Sequence, residues 1–119
     1  MHTRPYERLI VWREAYALCL HLYRLTADLP SYERFGLTSQ LRRAASSVPL
    51  NLVEGNAKRS GPEKICYIDI ATGSLEELRC AIRLSRDLQY VSEREFTALD
   101  RRIHRVSYLM TKLRVALST

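Results

Sequence analysis

No stretch of the chain approaches the roughly 18 apolar residues that a membrane-crossing helix needs. The N-terminal MHTRPYER is polar where a secretory leader would be apolar. Both absences point to a cytoplasmic protein with no membrane partner. Cysteine is scarce: Cys19, Cys66 and Cys80 are odd in number, form no CxxC pair and sit in or beside apolar helical runs. That argues against a disulfide framework or a zinc knuckle and for buried free thiols. With only four glycines there is no glycine-rich phosphate loop, and GxSxG, HExxH and the Glu-x-x-His pairs of di-iron bundles are also missing. The expectation is a protein without catalytic residues, metal or cofactor. Histidine adds little: His2 stands in the terminus, His21 faces a polar helix side, and Asp100 and His104, four apart, suit a surface hydrogen bond better than a metal. No segment carries the alternating pattern of a strand.

Acidic residues are also short in supply, 13 against 19 Lys and Arg, for a net charge of +6. The excess is uneven: residues 37–60 and 92–119 each carry +3, while 61–91 carry −1. Sixteen of the cations are Arg, whose planar fork suits phosphate or carboxylate. An anionic partner and ion pairs between subunits both fit. The remainder is ordinary for a globular chain, 46% hydrophobic and 27% charged, and 119 residues make one domain, 1–119.

Apolar spacing divides this domain into four helices. The first should begin near Pro5 to Arg8 and end near Asp28 to Pro30. Leu9, Trp12, Ala15, Tyr16, Cys19, Leu22 and Tyr23 form one seam, and Val11, Leu18, Leu25 and Leu29 widen it to an arc of about 220°, twice the usual stripe. The second enters at Gly36 with Thr38 as candidate cap. Its seam of Leu37, Leu41, Ala44, Val48, Leu52 and Gly55 occupies about 80° of the wheel, with Leu50, Val53 and Ala57 behind and Arg42 and Arg43 flanking. This seam passes through Pro49, which removes a backbone donor and should kink the helix at a cost of about 3 kcal/mol if uncompensated. Two short helices broken at SSVP, with Ser47 as a new cap, are the alternative.

A capping box at Ser60-Gly61-Pro62-Glu63 opens the third helix, which runs to about Leu88. It is apolar on two sides: Ile68, Ala71, Leu75, Leu78 and Ile82 in front, and Cys66, Ile70, Gly73, Cys80, Leu84 and Leu88 behind. Ser92 to Glu95 repeats the box, and Phe96, Leu99, Ile103, Val106, Met110, Leu113 and Leu117 follow strict heptads. Short connections make neighbours antiparallel, giving an all-α, up-down-up-down four-helix bundle. Helices one, two and three carry more apolar surface than one small core can cover, so a homo-oligomer is expected.

Two groups of residues stand out. On helix four, Arg94, Arg101, Arg105 and Lys112 fall within about 40° of one another with Tyr108 at the edge, a candidate nucleic-acid-binding stripe. Its rival reading is a solvated face, or one paired with Glu76, Glu77 and Asp87 of another subunit. On helix two, Glu54 lies beside the seam near Asn51 and Lys58, and fastening the kinked helix to a neighbour suits it better than acid–base chemistry.

The stretch GLTSQLRRAASSVPLNLVEGNAKRSGPEKICYIDIATGSLEEL resembles the four-helix-bundle family of 23S ribosomal-RNA intervening-sequence proteins. The likeness rests on Gly36 to Ala45, including Arg42 and Arg43, then Ser47 to Pro49, Asn51, Glu54, Gly55, Lys58 and Arg59. Leu9-Ile10-Val11-Trp12 and Gly73-Ser74-Leu75-Glu76-Glu77-Leu78 extend it over nearly the whole chain, while helix four matches only in pattern. The resemblance implies a ring, homopentameric in such relatives, associated with RNA and without enzymatic activity. Related proteins include the accessory subunit of diversity-generating retroelements, which makes a reverse transcriptase an alternative partner.

Overall fold

The computed structural model describes residues 3–118, so His2 lies outside the described residues. A 3-10 turn, Pro5–Arg8, precedes α1 (Ile10–Thr26); a second, Ser31–Glu33, leads into α2 (Leu37–Asn56), followed by α3 (Gly61–Asp87) and α4 (Glu93–Ser118). At about 1.5 Å per residue α3 alone is about 40 Å long, and the molecule measures 43 × 30 × 21 Å. Each helix packs on its neighbours in sequence, α4 closes on α1, and α2 and α4 stand on the diagonal. The four-helix bundle is therefore as the spacing predicts, with no strand among the described residues.

The front seams account for the core. All six seam residues of α2 are buried, as are Ile68, Ala71, Leu75, Leu78 and Ile82 of α3 and Leu99, Ile103, Val106 and Met110 of α4. Capping follows the sequence where the signal is a full box. Ser60 Oγ accepts from Glu63 N at 3.2 Å and donates to Glu63 Oε1 at 3.0 Å, and Ser92 Oγ accepts from Glu95 N. At α2 the expected cap fails: Gly36 occupies the cap position, and Glu33 reaches over it to accept from Leu37 N at 3.1 Å, so Thr38 lies inside the helix. The other oxygen of Glu33 accepts from the Tyr90 hydroxyl at 3.0 Å, tying the α1–α2 loop to the α3–α4 loop. Helix α3 ends in a Schellman turn, with Gln89 left-handed at φ 65 and Tyr90 N donating to Ser85 O.

Three expectations are corrected. Helix one is shorter, because Leu9 is extended and separates the Pro5–Arg8 turn from α1. The core face of α1 is Val11, Ala15, Leu18 and Leu22, while Tyr16 and Tyr23 are exposed; an arc of 220° contained no polar divider to place its centre. At Pro49, which is buried, α2 continues as its seam predicts, and the alternative break at Ser47 does not form. Among the thiols only Cys19 is half-buried, its pKa raised by burial, whereas Cys66 and Cys80 are exposed.

Candidate nucleic-acid interface

The heptads that bury Leu99, Ile103, Val106 and Met110 fix the rest of α4. Residues opposite those four point straight away from the core, and these are Arg94, Arg101, Arg105, Tyr108 and Lys112, all exposed. Eighteen residues separate the first from the last, a ridge about 27 Å long. Its cations are unequal. The Arg105 guanidinium donates to Glu14 of α1 at 2.9 Å, and the Lys112 ammonium stands 5.4 Å from the centre of the Tyr108 ring. Arg94, Arg101 and Lys112 form no ion pair among the described residues.

The side of α4 that faces α3 behaves differently. Arg114 makes a two-pronged contact with Asp69, at 2.7 and 3.3 Å, which holds that carboxyl below the usual range. Asp100 accepts from Arg79 at 3.2 Å and lies 3.4 Å from His104, a surface pair with a third member. Among the described residues no three His, Cys, Asp or Glu side chains gather as a metal site would require. Acidic side chains of α3 and α4 thus neutralise that flank and leave the outer ridge positive.

On the opposite flank the charge continues. His21, Arg24 and Arg102 line a shallow groove between α1 and α4. Burial and the Arg102 charge push the His21 pKa down, against a weaker opposing effect from Glu95. Sequence reasoning missed this flank and the Glu14 contact. Arg102 lies outside the 40° sector, and 91 residues separate Arg105 from Glu14.

The helix-two motif is distributed as follows. Arg42 caps the end of α1, its Nε donating to Thr26 Oγ1 at 2.8 Å and a terminal nitrogen to Tyr23 O at 3.3 Å, with the guanidinium 4.9 Å over the Tyr23 ring. Arg43 is exposed. Asn51 donates to Ser47 O and Ser47 Oγ at 2.8 and 3.0 Å, and Ser47 meets Ser74 of α3 at 2.7 Å. This short polar ladder crosses from α2 to α3 one turn from Pro49. Gly55 is buried where the α2 backbone meets Tyr67. Glu54 is corrected: it is exposed and makes no ion pair or hydrogen bond among the described residues, so it fastens nothing within the protomer.

A difference between the two polar residues follows. Asn51→Ala should cost about 1 kcal/mol, the worth of its hydrogen bonds, and lower the melting temperature by a few degrees. Glu54→Gln should stay within about 0.5 kcal/mol of wild type, as for a surface site without contacts. Thermal melts followed by circular dichroism check both, and a larger loss for Glu54→Gln would mean that a second chain holds the carboxylate.

The comparisons with known proteins agree with this architecture. A crystal structure of a protein with unknown function from the S23 ribosomal protein family of Bacteroides thetaiotaomicron superposes with a TM-score of 0.83. It covers 92% of this chain and 96% of that one at 16% identity, a likeness of fold. No curated protein matches in sequence. Residues 7–112 match the model of the 23S rRNA-intervening sequence protein family, and the chain therefore belongs to that family.

Proposed function

We propose that this protein is a non-catalytic scaffold that assembles from several copies and holds RNA along the outer ridge of α4. The observation that carries the reading is the difference between the two sides of that helix. Arg114 is matched to Asp69, whereas Arg94, Arg101 and Lys112 on the ridge form no ion pair among the described residues. A line of cations about 27 Å long, with one exposed tyrosine, suits a backbone-tracking contact with modest stacking and weak sequence preference. The family name, which refers to ribosomal RNA, supports the choice of polyanion.

Assembly is proposed because the rear of α3 remains exposed in the protomer. Ile70, Leu84 and Leu88 are 47%, 49% and 48% exposed, on the line shared by Cys66, Gly73 and Cys80. An exposed line of apolar side chains, interrupted by the exposed Glu77, suits an interaction surface, and a further copy of the chain is the occupant proposed.

Arg101→Ala/Arg105→Ala tests the RNA contact. In filter binding to a generic single-stranded RNA the double variant should lose affinity about tenfold at low salt, with its log–log salt slope flatter by about 0.7 for Arg101 and by up to about 1.4 where Arg105 leaves Glu14 to meet phosphate. Glu14→Gln should do the reverse, because releasing Arg105 from its carboxylate frees a fourth cation for phosphate. Unchanged binding in both variants would reduce the ridge to a solvated face.

A further inference from the structure

At the start of α2, on the face away from α4, a cleft of about 400 Å³ is lined by Arg34, Arg42 and Arg43, by Tyr23 and Phe35, and by the Thr38 hydroxyl among others. We infer that this cleft is a second, separate ligand site that takes one nucleotide, its phosphate between Arg42 and Arg43 and its base on the Phe35 ring. The inference deepens the RNA-binding reading and takes its ligand class from it.

The chemistry is specific. No acidic side chain lines the cleft, and none of its three arginines forms an ion pair among the described residues. Arg42 is held in place from behind by Thr26, the Tyr23 carbonyl and the Tyr23 ring. Only two of its five donors are taken up by this, and the planar fork is pre-organised for an oxyanion. Arg43 follows it directly on the exposed side of the helix. Phe35 is 87% exposed, and the Arg34 guanidinium lies over its ring at 5.2 Å. Every nucleobase has a face that stacks on such a ring and gains from a neighbouring cation. A phosphorylated side chain would use the arginines and leave the ring in water, so a nucleotide uses more of what is present. The volume lies in the usual range for small-ligand sites. Because α2 and α4 stand on the diagonal of the bundle, the cleft and the α4 ridge open on different faces.

A nucleotide can arrive free or as part of a strand, and a short probe separates the two. Fluorescein-labelled triuridylate is too short to bridge the two faces. Its anisotropy, titrated with the full chain at low salt, should report binding that Phe35→Ala and Arg43→Glu each weaken at least fivefold. Phe35→Tyr should restore the affinity, since it keeps the stacking face. Both altered side chains are exposed, Phe35 meeting the neighbouring Arg34 and Arg43 forming no ion pair among the described residues, and circular dichroism would confirm that the variants remain folded. Arg101→Ala/Arg105→Ala should weaken trinucleotide binding less than either cleft variant does. Competition assigns the source: uridine monophosphate displacing the probe as well as unlabelled triuridylate identifies a free-nucleotide site, and displacement only by the trinucleotide identifies a strand site. Inorganic phosphate competing as well as uridine monophosphate would overturn the inference, because the ring would then contribute nothing. Unweakened binding in Phe35→Ala and Arg43→Glu would overturn it too. If long RNA binds through the ridge while triuridylate does not bind, the cleft claim falls alone; if the cleft variants act and the ridge variant does nothing to long RNA, the ridge claim falls instead.

Discussion

Leu84→Arg should yield a folded protomer of 13.8 kDa, and the wild-type chain should sediment and scatter as a multiple of that mass. Leu84 sits in the middle of the exposed line on α3, between Cys80 and Leu88, and its side chain is half in solvent. In the protomer, arginine there is harmless, since its head reaches water and its stem lies along the helix. Against a second copy it would be an unpaired charge in an apolar contact, which costs several kcal/mol and weakens association by a hundredfold or more. Size exclusion with light scattering at micromolar protein, under reducing conditions because Cys66 and Cys80 are accessible, decides the matter. A wild-type chain that is itself monomeric would remove assembly from the proposal. A Leu84→Arg variant of wild-type mass would move the interface elsewhere, and Leu50→Arg would then show whether the outer side of α2, where Leu50 is 62% exposed, carries it.

Gly55→Ala should destabilise the fold, while Gly73→Ala should stabilise the free protomer, although both glycines lie inside helices. A Cβ at Gly55 would stand 3.0 Å from Tyr67 Cβ and 3.3 Å from the Lys64 carbonyl oxygen, where α2 and α3 approach. The backbone carbonyl cannot turn aside, so the helices must part. Overpacking of this kind costs about 1–3 kcal/mol and outweighs the gain of somewhat under 1 kcal/mol from replacing a helical glycine. A net loss of up to about 2 kcal/mol is expected in urea melts, the difference of those two terms. A Cβ at Gly73 meets nothing within 4 Å, so there the propensity gain of about 1 kcal/mol remains. Gly73 also lies on the line of Cys66, Ile70 and Leu84. In the monomeric Leu84→Arg background Gly73→Ala should raise stability, and in the assembled wild type it should loosen association, because the second chain would approach over a surface without a side chain. A stabilised and equally tight assembly would exclude close approach at Gly73.

What the sequence disclosed follows from what a helical period contains. Leu37 to Gly55 and Leu99 to Met110 repeat at fixed intervals with polar residues between, so direction and burial were both legible, and so was the outward ridge of α4. Where that contrast failed, so did the reading. The apolar arc of α1 ran too far round the helix to reveal that Leu18 faces inward and Tyr16 outward. Cys66 and Cys80, expected as buried thiols, are exposed in the protomer, because residue type alone does not separate a core face of α3 from an outer one. Contacts between distant segments carried no signal at all. Arg105 and Glu14 meet across α4 and α1, Ser47 and Ser74 across α2 and α3, and a wheel gives the bearing of a side chain without saying what stands opposite. Glu54 shows the same limit from the other side: its place beside the seam suggested a partner, and the neighbouring helix supplies none. Arg42 and Arg43 line the same cleft but differ in their contacts, Arg42 capping α1 and Arg43 open to solvent.

The most direct test of the RNA-scaffold reading is the salt dependence of wild-type binding to a generic single-stranded RNA, followed from low to physiological ionic strength. Arg94, Arg101 and Lys112 are free to meet phosphate at once, and Arg105 can join by leaving Glu14. Three to four contacts give a log–log slope between about −2 and −3 for each subunit engaged, at about −0.7 per phosphate, and a larger multiple if several copies share one strand. A slope in that range or steeper is the predicted result. No measurable affinity at low salt, or binding indifferent to salt, would contradict it.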